Sequence, residues 1–308
     1  PGLQDEPIAD NVCIPLYFLA GLVKESGVSV VQVGEGADEH FLGYWWCEDF
    51  RAKEETLRKS SGGKIPLSWW RRLAGGGEGA IDPELSRRFN AGEQLFWGGA
   101  TAWVGDNRRR LTPDHEPFLQ DIDCPIDGLL PEGFGKLDSH EIVQYYLGEL
   151  NGKVGSPETP YKIPYLESKL RLPEHLLMRV DKMTMAHSVE ARVPFLDHDI
   201  IEFAMRLPVS YKLQDGLGKR LLKKAAEPYV DHDLLYRRKQ GFGAPLDQWM
   251  ARGPFGQYCL ETFEHSQIRQ EGFLDNEFFG EVLRDQVEGR ANNGFLVWTV
   301  MNAILWHE

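Results

Sequence analysis

The side chains able to do chemistry concentrate at one turn. Gly34-Glu35-Gly36-Ala37-Asp38-Glu39-His40-Phe41 follows directly on the valine-rich run Val28-Ser29-Val30-Val31-Gln32-Val33. Gly34 and Gly36 lack a Cβ and let the backbone bend sharply and approach a ligand. A helix opening at Ala37 and running toward Tyr44 would turn its first N–H groups toward an anion. Yet Glu35, Asp38 and Glu39 crowd the same turn, and carboxylates repel phosphate unless a cation intervenes. The turn therefore reads as a place for Mg²⁺ ligation, or for a general base beside a nucleotide, more than as a simple phosphate cradle. A plainer alternative has Asp38 and Glu39 complementing a helix dipole. Position favours the functional alternative, because ligands of open α/β sheets sit at the C-terminal ends of strands.

A second concentration is basic. Arg237-Arg238-Lys239 precedes the turn Gly241-Phe242-Gly243-Ala244-Pro245, and Lys219, Arg220, Lys223 and Lys224 lie nearby in the chain. A glycine-rich turn directly after three cations directs charge toward one ligand, and this set could hold a polyphosphate. For Lys223 and Lys224 the basic face of an amphipathic helix is the preferred reading.

These residues need a frame. Val28 to Val33, short and bounded by Gly27 and Gly34, reads as a buried parallel strand. Asp10 can cap a preceding helix in which Val12, Leu16, Leu19, Leu22 and Val23 recur at helical spacing, ending near Ser26-Gly27. A lone strand leaves its backbone groups unpaired. No second parallel strand is apparent downstream, so further strands are expected before Pro1 or from another polypeptide. From Trp45 to Pro131 the pattern is irregular. Ser60-Ser61-Gly62-Gly63-Lys64 reads as an exposed loop and Gly75-Gly76-Gly77-Glu78-Gly79 as flexible linker, with Phe89 to Val104 a packed helix. Further helices are expected over Ser139 to Leu150, Tyr165 to Leu170, Pro173 to Met183, His198 to Leu207 behind an Asp197 cap, Gly216 to Glu227 with Lys219 at its start, Glu277 to Val287 and Phe295 to Trp306. Glu190 and Arg192, set among Val189, Val193 and Phe195, are expected to form a buried ion pair, since isolated buried charges cost several kcal/mol. Asp181 and Lys182 read as a solvated or mutually paired couple.

The chain's 308 residues, 42% of them apolar, suffice for a substantial core. No apolar run approaches the ~20 residues of a membrane helix, and the polar start shows no secretory signal. Cys13, Cys47, Cys124 and Cys259 are scattered without metal-type spacing and read as reduced cytoplasmic thiols. A net charge of −13 argues against nucleic acid or an anionic membrane as partner.

Three blocks carry a resemblance. The loop from Gly34 to Glu39 with Phe41, Gly43 and Tyr44, the block Met183 to Asp197, and the segment Arg237 to Leu246 resemble, in order, signatures of the synthetase domain of glutamine-hydrolysing asparagine synthetases. The resemblance implies an α/β fold of the adenine-nucleotide alpha-hydrolase (ATP pyrophosphatase) type, mostly helical in this portion with one clear parallel strand. Residues 1–44 would be the remaining part of its nucleotide-binding unit. Residues 45–308 would be the helical remainder of the same domain, with a variable insert over roughly 45–132. It further implies ATP and Mg²⁺, an acyl-adenylate of aspartate, and ammonia derived from glutamine. Glu35 and Lys239 would be catalytic. Val33, Gly34, Gly36, Asp38 and Lys219 would face the nucleotide or pyrophosphate, and Asp38 would also serve Mg²⁺; the block through Asp197 would shape the substrate site. The family's Ser-Gly-Gly-x-Asp-Ser pyrophosphate loop and its glutaminase domain do not occur in these residues. The expectation is therefore a C-terminal portion of a longer enzyme, unable to make AMP by itself, with the missing parts N-terminal to Pro1 or on another chain. Two alternatives remain: a related amidotransferase or a lactam- or peptide-forming ligase with another acceptor, and a non-catalytic interaction module.

Overall fold

The computed structural model describes residue 3 and residues 6–60, 88–90, 102–103, 107, 110–112, 139–155, 157–237 and 241–308. Helix α1 (Cys13–Glu25) begins where the Asp10 carboxylate accepts the Val12 N–H at 2.9 Å. It ends at Gly27, whose φ of +78° suits a residue without a Cβ. Strand β1 (Val30–Gln32) follows, then the single-turn α2 (Ala37–His40) and the long α3 (Trp45–Ser60). Helices α4 (Ser139–Val154) and α5 (Thr159–Lys169) lead through a π-helical turn (Leu172–Leu177) into α6 (Met178–Met185). Strand β2 (Glu190–Arg192), α7 (His198–Arg206), α8 (Val209–Lys212) and α9 (Arg220–Ala226) come next, and the C-terminal region is helical.

Strand β2 corrects one expectation: β1 has a parallel partner downstream. Val30 stands opposite Glu190, Val31 opposite Ala191 and Gln32 opposite Arg192. The partner is hard to see because Glu-Ala-Arg has little β-propensity and only three residues pair. Nor is the pair buried on both faces. Val30 remains 42% exposed, and Glu190 and Arg192 bond at 2.7 Å on an exposed face instead of inside the protein. Asp197 does cap α7, its carboxylate accepting the Asp199 N–H at 2.9 Å.

Residues from Trp45 onward, expected to be irregular, instead form α3. Glu48–Arg51, Asp49–Lys53, Glu54–Arg58 and Glu55–Lys59 pair along its surface at helical spacing, while Cys47 and Leu57 turn inward. Leu42, Cys47, Val143, Leu147, Ile163 and Leu166 form a core of α3, α4 and α5. The expectations for Ser61 to Lys64, Gly75 to Gly79 and nearly all of Phe89 to Val104 lie outside the described residues. A second core, with Leu246, Met250, Phe263, Phe279, Leu283, Val297, Met301 and Ile304, unites the C-terminal helices Leu246–Met250, Pro254–His265, Asn276–Val287 and Gly294–His307. Cys13, Cys47 and Cys259 are buried and form no disulfide. No helix among the described residues is long and apolar enough to cross a membrane.

His40, at the end of α2, is fully buried, and neither ring nitrogen has a hydrogen-bond partner among the described residues. Burial, aided by the Lys212 charge, pushes its pKa down from 6.5 to about 4. The unfolded chain therefore binds a proton through that window that the folded chain refuses. Stability is fully present above pH 6.5 and is lost as the pH falls toward 4, by roughly 3 kcal/mol for a downshift of this size. Urea unfolding at stepped pH should show this slope, and His40→Gln should flatten it between pH 6.5 and 4.

Candidate active site

The C-terminal ends of β1 and β2 deliver two loops to one place. The Val33 N–H donates to the Arg192 carbonyl at 2.9 Å, which carries the parallel ladder to the edge of the Gly34 turn. That N–H is therefore spent, and a contribution of Val33 to a nucleotide would come through its carbonyl. Gly36 has φ +91°, and a Cβ there would stand 2.3 Å from Leu196 Cδ2. Its glycine is required by the packing of the turn against the loop after β2, so Gly36 serves the joint between two sequence blocks more directly than ligand approach. At Gly34 a Cβ would meet nothing within 4 Å, which leaves the backbone there open.

The three carboxylates of the turn separate in role. Glu39 is buried; it accepts the Gly36 N–H at 3.0 Å and the Tyr44 hydroxyl, with Arg171 at 3.8 Å. It closes the turn on itself as a capping box does, and is structural. Asp38 meets Lys219, Nζ to Oδ1, at 3.0 Å. Lys219 is held for that contact by its own N–H, which donates to the Phe41 carbonyl at 3.0 Å, and by a left-handed backbone, φ +54°. Gly43 and Gly218 make the close approach possible: a Cβ on Gly43 would lie 2.1 Å from Asp38 Oδ1, and one on Gly218 would lie 2.3 Å from the Leu42 carbonyl. Lys223, one turn along α9, stands near enough that burial together with the Lys219 charge lowers its pKa. Lys224 instead pairs with Glu227 at 2.6 Å on the surface. The structure thus brings Asp38 and Lys219 together and leaves Lys224 on a solvated face, as its amphipathic spacing suggests.

Glu35 faces the other way, toward Arg179 on α6, with Nη2 to Oε1 at 2.8 Å. Arg179 also pairs with Asp10, which in turn meets His175 Nε2 at 3.2 Å. Burial pushes the Glu35 carboxyl above its ordinary range, with the charges of Glu39 and Asp38 acting the same way and Arg179 opposing them. Burial works against ionisation of Asp10 too, yet its bond with His175 and the Arg179 charge hold it far below the carboxylate range. Arg179, Asp10 and His175 were not visible as site residues from the motifs. The available signal was a lone arginine, buried beside Leu176, Val180 and Met183, that had to find a carboxylate partner.

The third block reaches the same region. Asn11, next to Asp10, donates from Nδ2 to the Ala244 carbonyl at 3.0 Å, and a Cβ on Gly243 would lie 3.1 Å from the Asn11 side chain. Lys239 itself lies outside the described residues. A cavity of about 170 Å³, lined by Asn11, Ala244 to Gln248 and Phe295, adjoins this loop and not the Glu35–Asp38 turn. No cluster of three metal-ligating side chains occurs among the described residues. Mg²⁺ needs only one or two protein carboxylates when phosphates complete its shell, and Asp38 can supply one, with Lys219 competing for the same oxygen.

Comparisons with known proteins place the chain in a family. The chain is 28% identical over 310 residues to "Asparagine synthetase [glutamine-hydrolyzing] 1" of Bacillus subtilis, covering 98% of this chain and 44% of that protein. It is 28% identical to a putative asparagine synthetase [glutamine-hydrolyzing] of Mycobacterium tuberculosis, covering 98% of this chain and 42% of the relative. The amidase chyE of Penicillium rubens is 25% identical over 87% of the chain and 40% of its own length. The chain thus spans less than half the length of these relatives. No solved structure matches it. The family model for asparagine synthase matches residues 1–308, and the chain belongs to the asparagine synthase family.

Proposed function

We propose that this chain is the C-terminal part of a ligase domain, on an adenine-nucleotide alpha-hydrolase-like scaffold, that forms an amide through an acyl-adenylate. Its substrates would be ATP carried with Mg²⁺, the side-chain carboxylate of aspartate, and ammonia released from glutamine by a glutaminase domain. The observation that carries this reading is the turn at the ends of two parallel strands, where Asp38 is joined to Lys219 at 3.0 Å while Glu35 faces separately toward Arg179. Cations and a carboxylate suited to nucleotide phosphates stand on one side of the turn, and a carboxylate with a raised pKa stands on the other.

The chemistry follows in two steps. A carboxylate oxygen of aspartate attacks the α-phosphorus and pyrophosphate departs; Lys219 and Lys239 would supply fixed positive charge where negative charge builds. Ammonia then attacks the acyl carbon, Glu35 takes a proton from the nitrogen, and AMP leaves with the former carboxylate oxygen. Gly34 and Val33 would offer backbone groups to the adenosine or α-phosphate. Asp38 would meet Mg²⁺ as it arrives on the phosphates.

Exposed apolar side chains on α1, Phe18 at 66% and Leu22 at 59%, and the exposed Val28 and Val30 support a sheet that further polypeptide completes. That polypeptide would bring the pyrophosphate loop and the glutaminase domain. A different carboxylate or amine partner is the second reading, favoured by the similarity to the amidase chyE. A non-catalytic module fits poorly with the retention of Glu35 and Asp38 on one turn, each with its own cation.

Pyrophosphate release by the full-length protein, measured with ATP, Mg²⁺ and a panel of carboxylic acids, tests the reading. Aspartate should be the acid that triggers release, and Lys239→Ala should slow it by about 10²-fold, the scale of one lost fixed charge at a transition state. Release triggered by another acid alone would move the assignment to the second reading, and near-normal adenylation in Lys239→Ala would remove that residue from the mechanism.

A further inference from the structure

Arg179 stands between two partly buried carboxylates, Asp10 with 11% and Glu35 with 24% of its side chain exposed. It is 7% exposed, Asp10 and Glu35 share its guanidinium, and His175 closes the row from the π-helical turn one helical step earlier. Each member is tied to a different element. Asp10 also accepts the Val12 N–H at the start of α1, so its position is set by that helix. Arg179 lies on α6, whose Val180 and Met183 are buried. Glu35 belongs to the turn after β1. The two ends of a guanidinium fork thus connect a fixed carboxylate to one on a glycine-bounded turn.

A guanidinium is suited to this because its planar donors can serve two acceptors at once, which an ammonium on a flexible stem does less well. Freed of Arg179, Glu35 would lose the cation that the structure places directly against it and keep Asp38 and Glu39 on its own turn, and like charges on one turn favour the neutral acid. A neutral acid cannot take a proton from an attacking nitrogen.

We infer that Arg179, anchored by Asp10 and His175, is a positioning residue that aims Glu35 and keeps it ionised for the amide-forming step. The inference rests on the reading of Glu35 as the base. Among the described residues, the charged groups that bear on Glu35 are Arg179 from α6 and Asp38 and Glu39 from its own turn, with Asp10 and His175 acting through Arg179.

The test uses the full-length protein and the variants Arg179→Met, Arg179→Lys and Asp10→Asn, with Glu35→Gln as reference. Pyrophosphate release and amide formation from ammonia are measured separately across pH. Arg179→Met should keep pyrophosphate release within a few-fold of wild type, slow amide formation at neutral pH, and move the acid limb of amide formation up by about one pH unit, the usual size of a lost opposite charge. Arg179→Lys should restore part of the rate and most of the limb's position, because it returns the charge without the fork. Asp10→Asn loosens the anchor of Arg179 but also removes an anion that competes for its charge, so it should slow amide formation with little movement of the acid limb. If Arg179→Met does not fold, Arg179→Gln, which also removes the charge but keeps a polar side chain, carries the same comparison.

An unmoved acid limb in a folded variant that lacks the Arg179 charge, with Glu35→Gln still blocking amide formation, would overturn the inference and leave the base assignment intact. Normal amide formation in Glu35→Gln would overturn both. Equal loss of pyrophosphate release and amide formation, with no change in pH dependence, would make Arg179 a structural residue only.

Discussion

Glu35→Gln is expected to separate the two half-reactions: pyrophosphate release should persist within a few-fold of wild type, while amide formation from ammonia falls by about 10²–10⁴-fold, the range for losing a general base. The amide keeps the shape and one acceptor oxygen for Arg179, so the turn should hold its place while losing its proton acceptor. The pH dependence has a definite sign. Burial and the Asp38 and Glu39 charges raise the carboxyl's pKa, so the base is lost to protonation earlier on acidification than an exposed glutamate would be. At a fixed concentration of unprotonated ammonia, amide formation in the wild type should therefore fade as the pH drops toward that raised value. Quenched-flow measurement of AMP-linked intermediate and amide in the same reaction checks both points. Equal loss in both half-reactions would place Glu35 in nucleotide binding instead.

Gly36→Ala should be damaging on two counts at once, backbone and packing. Alanine at φ +91° is strained, by on the order of 1–2 kcal/mol for a residue with a Cβ in left-handed backbone. The methyl would also start 2.3 Å from Leu196 Cδ2, so the two loops must part. Together these predict a loss of about 2–4 kcal/mol in urea unfolding, with activity falling further because Glu35 and Asp38 hang from this turn. Leu196→Ala in the same chain should recover the steric share and leave the backbone share, giving a double-mutant loss smaller than the sum. A Gly36→Ala variant within about 0.5 kcal/mol of wild type, the ordinary scatter of surface substitutions, would mean that the turn has slack the structure does not suggest.

How much was legible in advance differs by element. The helices over Ser139–Val154, His198–Arg206, Asn276–Val287 and Gly294–His307 could be read from their runs of apolar residues, and Asp197 and Asp275 side chains cap the second and third. Strand β1 could be read from its valines. Strand β2 could not, since its two charged residues face solvent and its pairing is set by what α6 and the next loop pack against. Helix α3 was obscured because its polar face is laced with ion pairs and few apolar residues mark its inner side. At the site, the glycines and carboxylates of residues 34–39 drew attention correctly, but sequence cannot tell which carboxylate turns inward. Glu39 does so because Tyr44 and the Gly36 N–H wait for it. Arg179 was missed because its partners, Asp10 and Glu35, lie far away in the chain and meet it only through the packing of α6 on α1.

The central claim is that a carboxylate is activated as its adenylate and then converted to an amide at this turn. Aspartate labelled with ¹⁸O in its side-chain carboxylate, turned over by the full-length protein with ATP, Mg²⁺ and ammonia, tests it most directly. The account predicts one labelled oxygen in the AMP released, with pyrophosphate unlabelled. Label appearing in inorganic phosphate beside ADP, or amide formed with no label transferred to AMP, would contradict it.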